Sequence, residues 1–90
     1  MHRSPPETDT LGSVVAAIRG ITGLAEIAPD ARLDQDLQLE SVDLVALDAL
    51  LRQRYGDGVD LVGFVAGLDI DEMIGLTVSD VVRRVEAVTS

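Results

Sequence analysis

The stretch Asp36-Leu37-Gln38-Leu39-Glu40-Ser41-Val42-Asp43-Leu44-Val45-Ala46-Leu47 decides the reading of this chain, because it sets one serine at the start of an acidic helix striped with apolar residues. Val42, Val45 and Leu47, continuing to Leu50 and Leu51, recur at roughly helical spacing. Gly56-Asp57-Gly58 is a strong stop, so the helix is expected from Ser41 to about Tyr55. Asp43 in its first turn and Arg52 and Arg54 in its last complement the macrodipole. A serine at a helix start is ordinarily an N-cap, whose side-chain oxygen accepts a first-turn backbone N–H. Its surroundings give Ser41 a second reading.

Working back from Ser41, Leu24 to Glu40 is too long for a tight turn and is punctuated by Pro29, Asp30, Asp34 and Asp36. It reads as a structured connection pinned to the core by Ile27, Leu33, Leu37 and Leu39. Before it, Leu11, Val14, Val15, Ile18 and Ile21 follow the i, i+3, i+4 pattern, with Asp9 or Thr10 available as cap and Gly23 as stop. Gly12 and Gly20 weaken that helix by about 1 kcal/mol each relative to alanine, so packing has to hold it. Residues 1–8, with two prolines and no periodic apolar residue, read as a frayed tail. His2 lies there, with nothing nearby to orient it.

Working forward, Gly58 to Leu76 is apolar but broken by Gly63 and Gly67. A short irregular helix fits its first part and a single turn fits Asp69 to Ile74; a strand there would lack a partner. Thr77-Val78-Ser79-Asp80 resembles a capping box with Asp in the final place. Val78, Val81, Val82, Val85 and Val88 then form one buried face. The expected fold is all-α: a small bundle of three main helices plus one or two short ones, a long first loop, and a single domain over residues 9–88.

Composition narrows the function. Apolar residues make up 47% of the chain but aromatics only 2%, so the core is aliphatic. A chain of 90 residues buries only roughly 60% of its unfolded surface, which leaves little room for a large internal active site. No cysteine is present, which removes disulfides, thiolate metal sites and a thiol nucleophile. The net charge of −9 arises from sixteen acids against seven arginines, and it disfavours nucleic acid and anionic membrane surfaces as partners. Six of those acids and one base fall between Asp30 and Asp48, around Ser41. No apolar run approaches the ~20 residues of a spanning helix, and residues 1–10 lack the pattern of a signal peptide, so a soluble, cytoplasmic chain is expected.

Catalysis is not expected. A serine hydrolase needs a base and an orienting group, whereas the one histidine is His2 and Ser41 lacks a Gly-x-Ser-x-Gly elbow. The runs Asp57-Gly58-Val59-Asp60 and Asp69-Ile70-Asp71-Glu72 suggest calcium ligands but lack the twelve-residue loop closing on glutamate, so no metal site is assigned.

The segment from Pro29 through Leu51 resembles that of an acyl carrier protein. In that family a loop of the type Pro-Asp-x-x-Leu-x-x-Asp-Leu leads into Asp-Ser-Leu at the start of the second helix. Pro29, Asp30, Leu33, Asp36 and Leu37 match the loop, and Glu40-Ser41-Val42 matches the motif with two conservative departures. Asp43, Val45, Leu47 and Leu51 continue the pattern, Tyr55 takes the place of an aromatic near the helix end, and Thr77-Val78 matches the start of the last helix. The linker from Tyr55 to Thr77 is several residues longer than in the compact fatty-acid type. Its extra apolar residues, Phe64 included, either cap an acyl pocket or complete a core poor in aromatics.

The resemblance implies that Ser41 carries 4′-phosphopantetheine. Acyl groups would ride on its thiol as thioesters in fatty-acid-like or polyketide and other secondary metabolism, while partner enzymes do the chemistry. A phosphodiester at a helix's first residue is favoured by unpaired N–H groups and the dipole. The implied partners are a phosphopantetheinyl transferase and acyl-loading and acyl-processing enzymes with basic patches; the chain itself is expected to be a monomer. Glu40, Asp43 and Asp48 would face those patches in salt-sensitive contacts. Leu44, with Ala46, either adds a small apolar contact or faces the first loop. A peptidyl or aryl carrier is the nearest alternative, and a small helical adaptor whose Ser41 is only a cap comes from a different class.

Overall fold

The structure is a computed structural model describing residues 6–89, with side chains described from Thr10 onward. Among the described residues five helices follow in order: α1 (Pro6–Thr22), α2 (Ser41–Tyr55), α3 (Leu61–Ala66), α4 (Ile70–Ile74) and α5 (Val78–Thr89). A 3₁₀ turn, Asp57–Val59, links α2 to α3. The architecture is the expected small all-α bundle. Of the expected tail, residues 6–8 belong to α1, because Pro suits a helix's first turn, where its missing N–H would have no partner anyway; residues 1–5, His2 among them, lie outside the described part.

α1 buries Thr10, Val14 and Ile18 on one stripe and packs most extensively on α5, whose Val78, Val81, Val82 and Val85 are buried in the same core. Val88 is only half-buried. Gly23 ends α1 with φ of +77°, a conformation that suits glycine, and its N–H reaches the Arg19 carbonyl at 2.8 Å. The 3₁₀ turn packs on both α2 and α5 and inserts Val59, fully buried, between them. The core is thus entirely aliphatic at its centre. Phe64 packs against its edge, under the Arg84 guanidinium 5.3 Å from the ring centroid.

The long loop is held on two sides. Leu33, Leu37 and Leu39 are buried and Ile27 is half-buried, as the anchors expected from the sequence. Its backbone is also tied to Leu76 and to the first residues of α5. The Leu33 N–H donates to the Leu76 carbonyl (2.9 Å), Val78 to Ala31 (3.0 Å) and Ser79 to Pro29 (2.9 Å), around a single antiparallel bridge between Arg32 and Thr77. The Ser79 hydroxyl adds a second bond to the Pro29 carbonyl at 2.9 Å. These bonds satisfy backbone groups that a loop lying on the core would otherwise leave unpaired. They also fix the approach to Ser41.

Thr77 and Asp80 form the expected capping box. The Thr77 N–H donates to the Asp80 carboxylate at 3.0 Å, and the Asp80 N–H donates to the Thr77 hydroxyl at 3.3 Å. The segment after Tyr55 resolves into α3 and α4, each one to two turns long and separated by Gly67, Leu68 and Asp69.

Candidate functional site

Ser41 is the first residue of α2, and the residue that caps the helix is Glu40. Glu40 is extended, with φ −100° and ψ 177°; its carbonyl accepts the Leu44 N–H at 2.9 Å, and its N–H donates to the Asp43 carboxylate at 3.0 Å. The role that a serine usually plays at a helix start is therefore taken by its neighbour. The Ser41 side chain is exposed and makes no hydrogen bond among the described residues. The bland alternative from the sequence, Ser41 as N-cap, is corrected. The reason is register: Leu39 is buried and fixes Glu40 as the last extended residue before the helix.

Beside Ser41 opens a cleft of about 420 Å³. Its floor and walls are aliphatic: Leu33 and Leu39 from the loop, Leu44 from α2, Val65 from α3, and Ile70, Met73 and Ile74 from α4, with Leu76 behind them. Asp34 and Glu40 stand with Ser41 as its polar lining. Ile70 is 74% exposed, an unusual setting for isoleucine, and it stands at this cleft. Leu44 is half-buried here, facing the first loop and the cleft. Phe64 lies elsewhere, in a cleft with Leu68, Arg83 and Arg84, so of its two expected roles it completes the core's edge.

The acids expected on the outer side of α2 are placed differently. Glu40 is exposed. Asp43 is half-buried, its carboxylate bonded to the Glu40 N–H. Asp48 is only 5% exposed, which corrects its expected place on the surface. One carboxylate oxygen accepts the Leu61 N–H at 3.0 Å and the other meets Arg52 Nε at 3.1 Å. Arg52 Nη2 then reaches Asp60 at 3.1 Å, and Asp60 accepts the Gly63 N–H at 3.2 Å, capping α3. The hydrogen bond that Arg52 donates to the Asp48 carboxylate, joined by the charges of Asp48, Asp60 and Asp57, outweighs the opposing desolvation and holds the Arg52 pKa above its ordinary value. A polar clamp therefore joins α2 to the start of α3, whose Val65 forms one wall of the cleft.

Val42 and Val45, expected on the apolar stripe facing the core, are 68% and 56% exposed. Leu44, Leu47 and Leu51 fill that role, with Asp48 among them. A signal for this was available: Asp48 is one helical turn from both Leu44 and Leu51, and Arg52 follows it at i+4.

The calcium-like runs are used locally. Asp60 serves the clamp, and Glu72 accepts the Asp69 N–H at 2.9 Å. Among the described residues no three His, Cys, Asp or Glu side chains converge to hold a metal ion. No helix of the described residues is long and apolar enough to cross a membrane.

No protein-family model, curated protein or solved structure matches the chain.

Proposed function

We propose that the chain is a carrier protein whose Ser41 bears 4′-phosphopantetheine and presents acyl groups, bound as thioesters, to partner enzymes of fatty-acid-like or secondary-metabolite biosynthesis. The observation that carries this reading is the pairing of a free, exposed Ser41 hydroxyl with a neighbour, Glu40, that does the capping. A serine relieved of structural duty at a helix start is accessible for modification. The N–H groups of the helix's first turn and the positive end of its dipole favour a phosphate there.

The residues present fit such a group. Ser41 opens directly onto the aliphatic cleft, so an acyl chain tethered nearby has apolar surface within reach, supplied by Leu39, Leu44, Ile70 and Ile74. The bound arm would supply the thiol that this cysteine-free chain lacks. The protein's own part is to hold the attachment point at a fixed helix end and to shelter the proximal cargo. Of the acids first expected to meet partners, Glu40 is the exposed one, and Asp48 is withdrawn from that role.

The test is loading. Incubation of the purified chain with coenzyme A and a broad-specificity phosphopantetheinyl transferase is expected to add one phosphopantetheine by intact mass, and Ser41→Ala to add none. An unchanged mass for the wild type favours an adaptor, and ester turnover by the chain alone would favour a hydrolase.

A further inference from the structure

A second cleft, of about 530 Å³, lies between α3, α4 and α5, and Ser41 does not line it. Its apolar lining includes Phe64, Leu68 and Ala87, and its cations are Arg83 and Arg84, the only consecutive arginines in a chain of net charge −9. Arg84 is half-buried and held in one pose. Its Nε donates to the Val59 carbonyl at 3.0 Å, and its guanidinium carbon lies 5.3 Å from the centroid of the Phe64 ring. Among the described residues Nε is the one nitrogen of this guanidinium that donates a hydrogen bond, which leaves the edge formed by Nη1 and Nη2 available.

The acids at this cleft are already engaged. Asp80 accepts the Thr77 N–H and pairs with Arg83, and Glu72 accepts the Asp69 N–H. Arg52 has two carboxylate partners and Arg83 has one, whereas Arg84 pairs with no acid among the described residues. A guanidinium whose pose is already fixed loses little freedom on meeting a carboxylate, and its outer edge matches the two carboxylate oxygens. Beside that edge, Phe64 and Leu68 offer apolar surface to a short hydrocarbon chain. The volume falls within the roughly 300–1,000 Å³ of small-molecule sites. The cleft beside Ser41 differs in charge, because Asp34 and Glu40 line it and repel a carboxylate.

We infer that the cleft between α3, α4 and α5 binds a small monocarboxylate with an apolar chain. The carboxylate takes parallel hydrogen bonds from Arg84 Nη1 and Nη2, and the chain lies against Phe64 and Leu68. The site goes beyond the carrier reading and does not depend on the state of Ser41.

The experiment is an NMR titration of the isotope-labelled chain with sodium octanoate, sodium acetate or octanol at fixed ionic strength. Octanoate is expected to bind with a Kd of about 1 mM and to move the Arg84 Nε–H signal together with the amides of Phe64, Leu68 and Ala87. Acetate, which lacks the chain, and octanol, which lacks the charge, are each expected to bind at least about tenfold more weakly. Ala87→Glu, at an exposed position one turn from Arg84, supplies a carboxylate in the ligand's place; it is expected to weaken octanoate about tenfold with the urea midpoint unchanged. Ser41→Ala is expected to bind octanoate as the wild type does. Acetate or octanol as effective as octanoate, shifts confined to Leu39, Leu44 and Ile74 beside Ser41, undiminished binding to Ala87→Glu, or no shift at all overturns the site. None of these outcomes touches the carrier reading, which falls only if the wild type fails to load.

Discussion

The Asp48 carboxylate accepts the backbone N–H of Leu61 at 3.0 Å, so a side chain in the middle of α2 holds the first residue of α3. Asp48 is buried and its second oxygen is paired with Arg52. Replacement by alanine leaves the Leu61 N–H without its partner and is expected to cost about 2 kcal/mol; asparagine, whose oxygen still accepts that N–H, is expected to cost about 1 kcal/mol. Urea unfolding of both variants checks this. Equal stability of Asp48→Ala and the wild type would show that the clamp contributes nothing.

The Arg52 side of the clamp has a definite pH behaviour. Its pKa is raised in the folded state, first by the hydrogen bond to Asp48. A raised basic pKa contributes stability that is complete below the unfolded value and is lost as pH rises through the folded one. Both values lie far above neutrality, so the difference in urea midpoint between wild type and Arg52→Met should be the same at about pH 7 and about pH 9. A difference that shrinks across that interval would contradict the assignment.

Gly63 has a specific reason to be glycine. A Cβ built on it would overlap the Asp60 carboxylate, lying 2.8 Å from its Cγ. Asp60 has φ of +38°, caps α3 through the Gly63 N–H and meets Arg52, so it has little freedom to retreat. Gly63→Ala, ordinarily favourable inside a helix, is expected here to lower stability by about 1–2 kcal/mol. An increase in the urea midpoint would show that Asp60 yields without cost.

Gln38 carries a φ of +56°, three residues before Ser41, where the chain turns from the loop toward α2. Valine at this position is expected to destabilise by about 1–2 kcal/mol, because a β-branched side chain tolerates the left-handed region poorly. Glycine relieves the strain but loosens the unfolded chain, and should stay within about 1 kcal/mol of the wild type. Thermal unfolding of the pair orders them, and a valine variant as stable as the glycine one would refute the strain.

The sequence makes the helices legible through their punctuation. Gly23, Gly56 and the Thr77–Asp80 box mark ends and starts that the structure reproduces, and the α5 valines announce their buried face. The loop anchors Leu33, Leu37 and Leu39 are equally plain. The bonds tying Pro29, Ala31 and Leu33 to Leu76, Val78 and Ser79 are not, because they join backbone groups and no side-chain pattern encodes them. The faces of α2 are the main departure. Val42 and Val45 are apolar and exposed while Asp48 is charged and buried, since the partners that satisfy Asp48 come from Arg52 and from a backbone N–H thirteen residues away. At the site, Ser41 is placed by the sequence, whereas its release from capping depends on the register of Glu40, which only the fold settles.

On the proposed carrier reading, Ser41 is the attachment point among the five serines of the chain. Fragmentation mass spectrometry of the chain after loading from coenzyme A tests it most directly. A single phosphopantetheine is expected on the peptide containing Ser41 and none on those containing Ser4, Ser13, Ser79 or Ser90. A modification on any other residue, or a chain that accepts none, contradicts it.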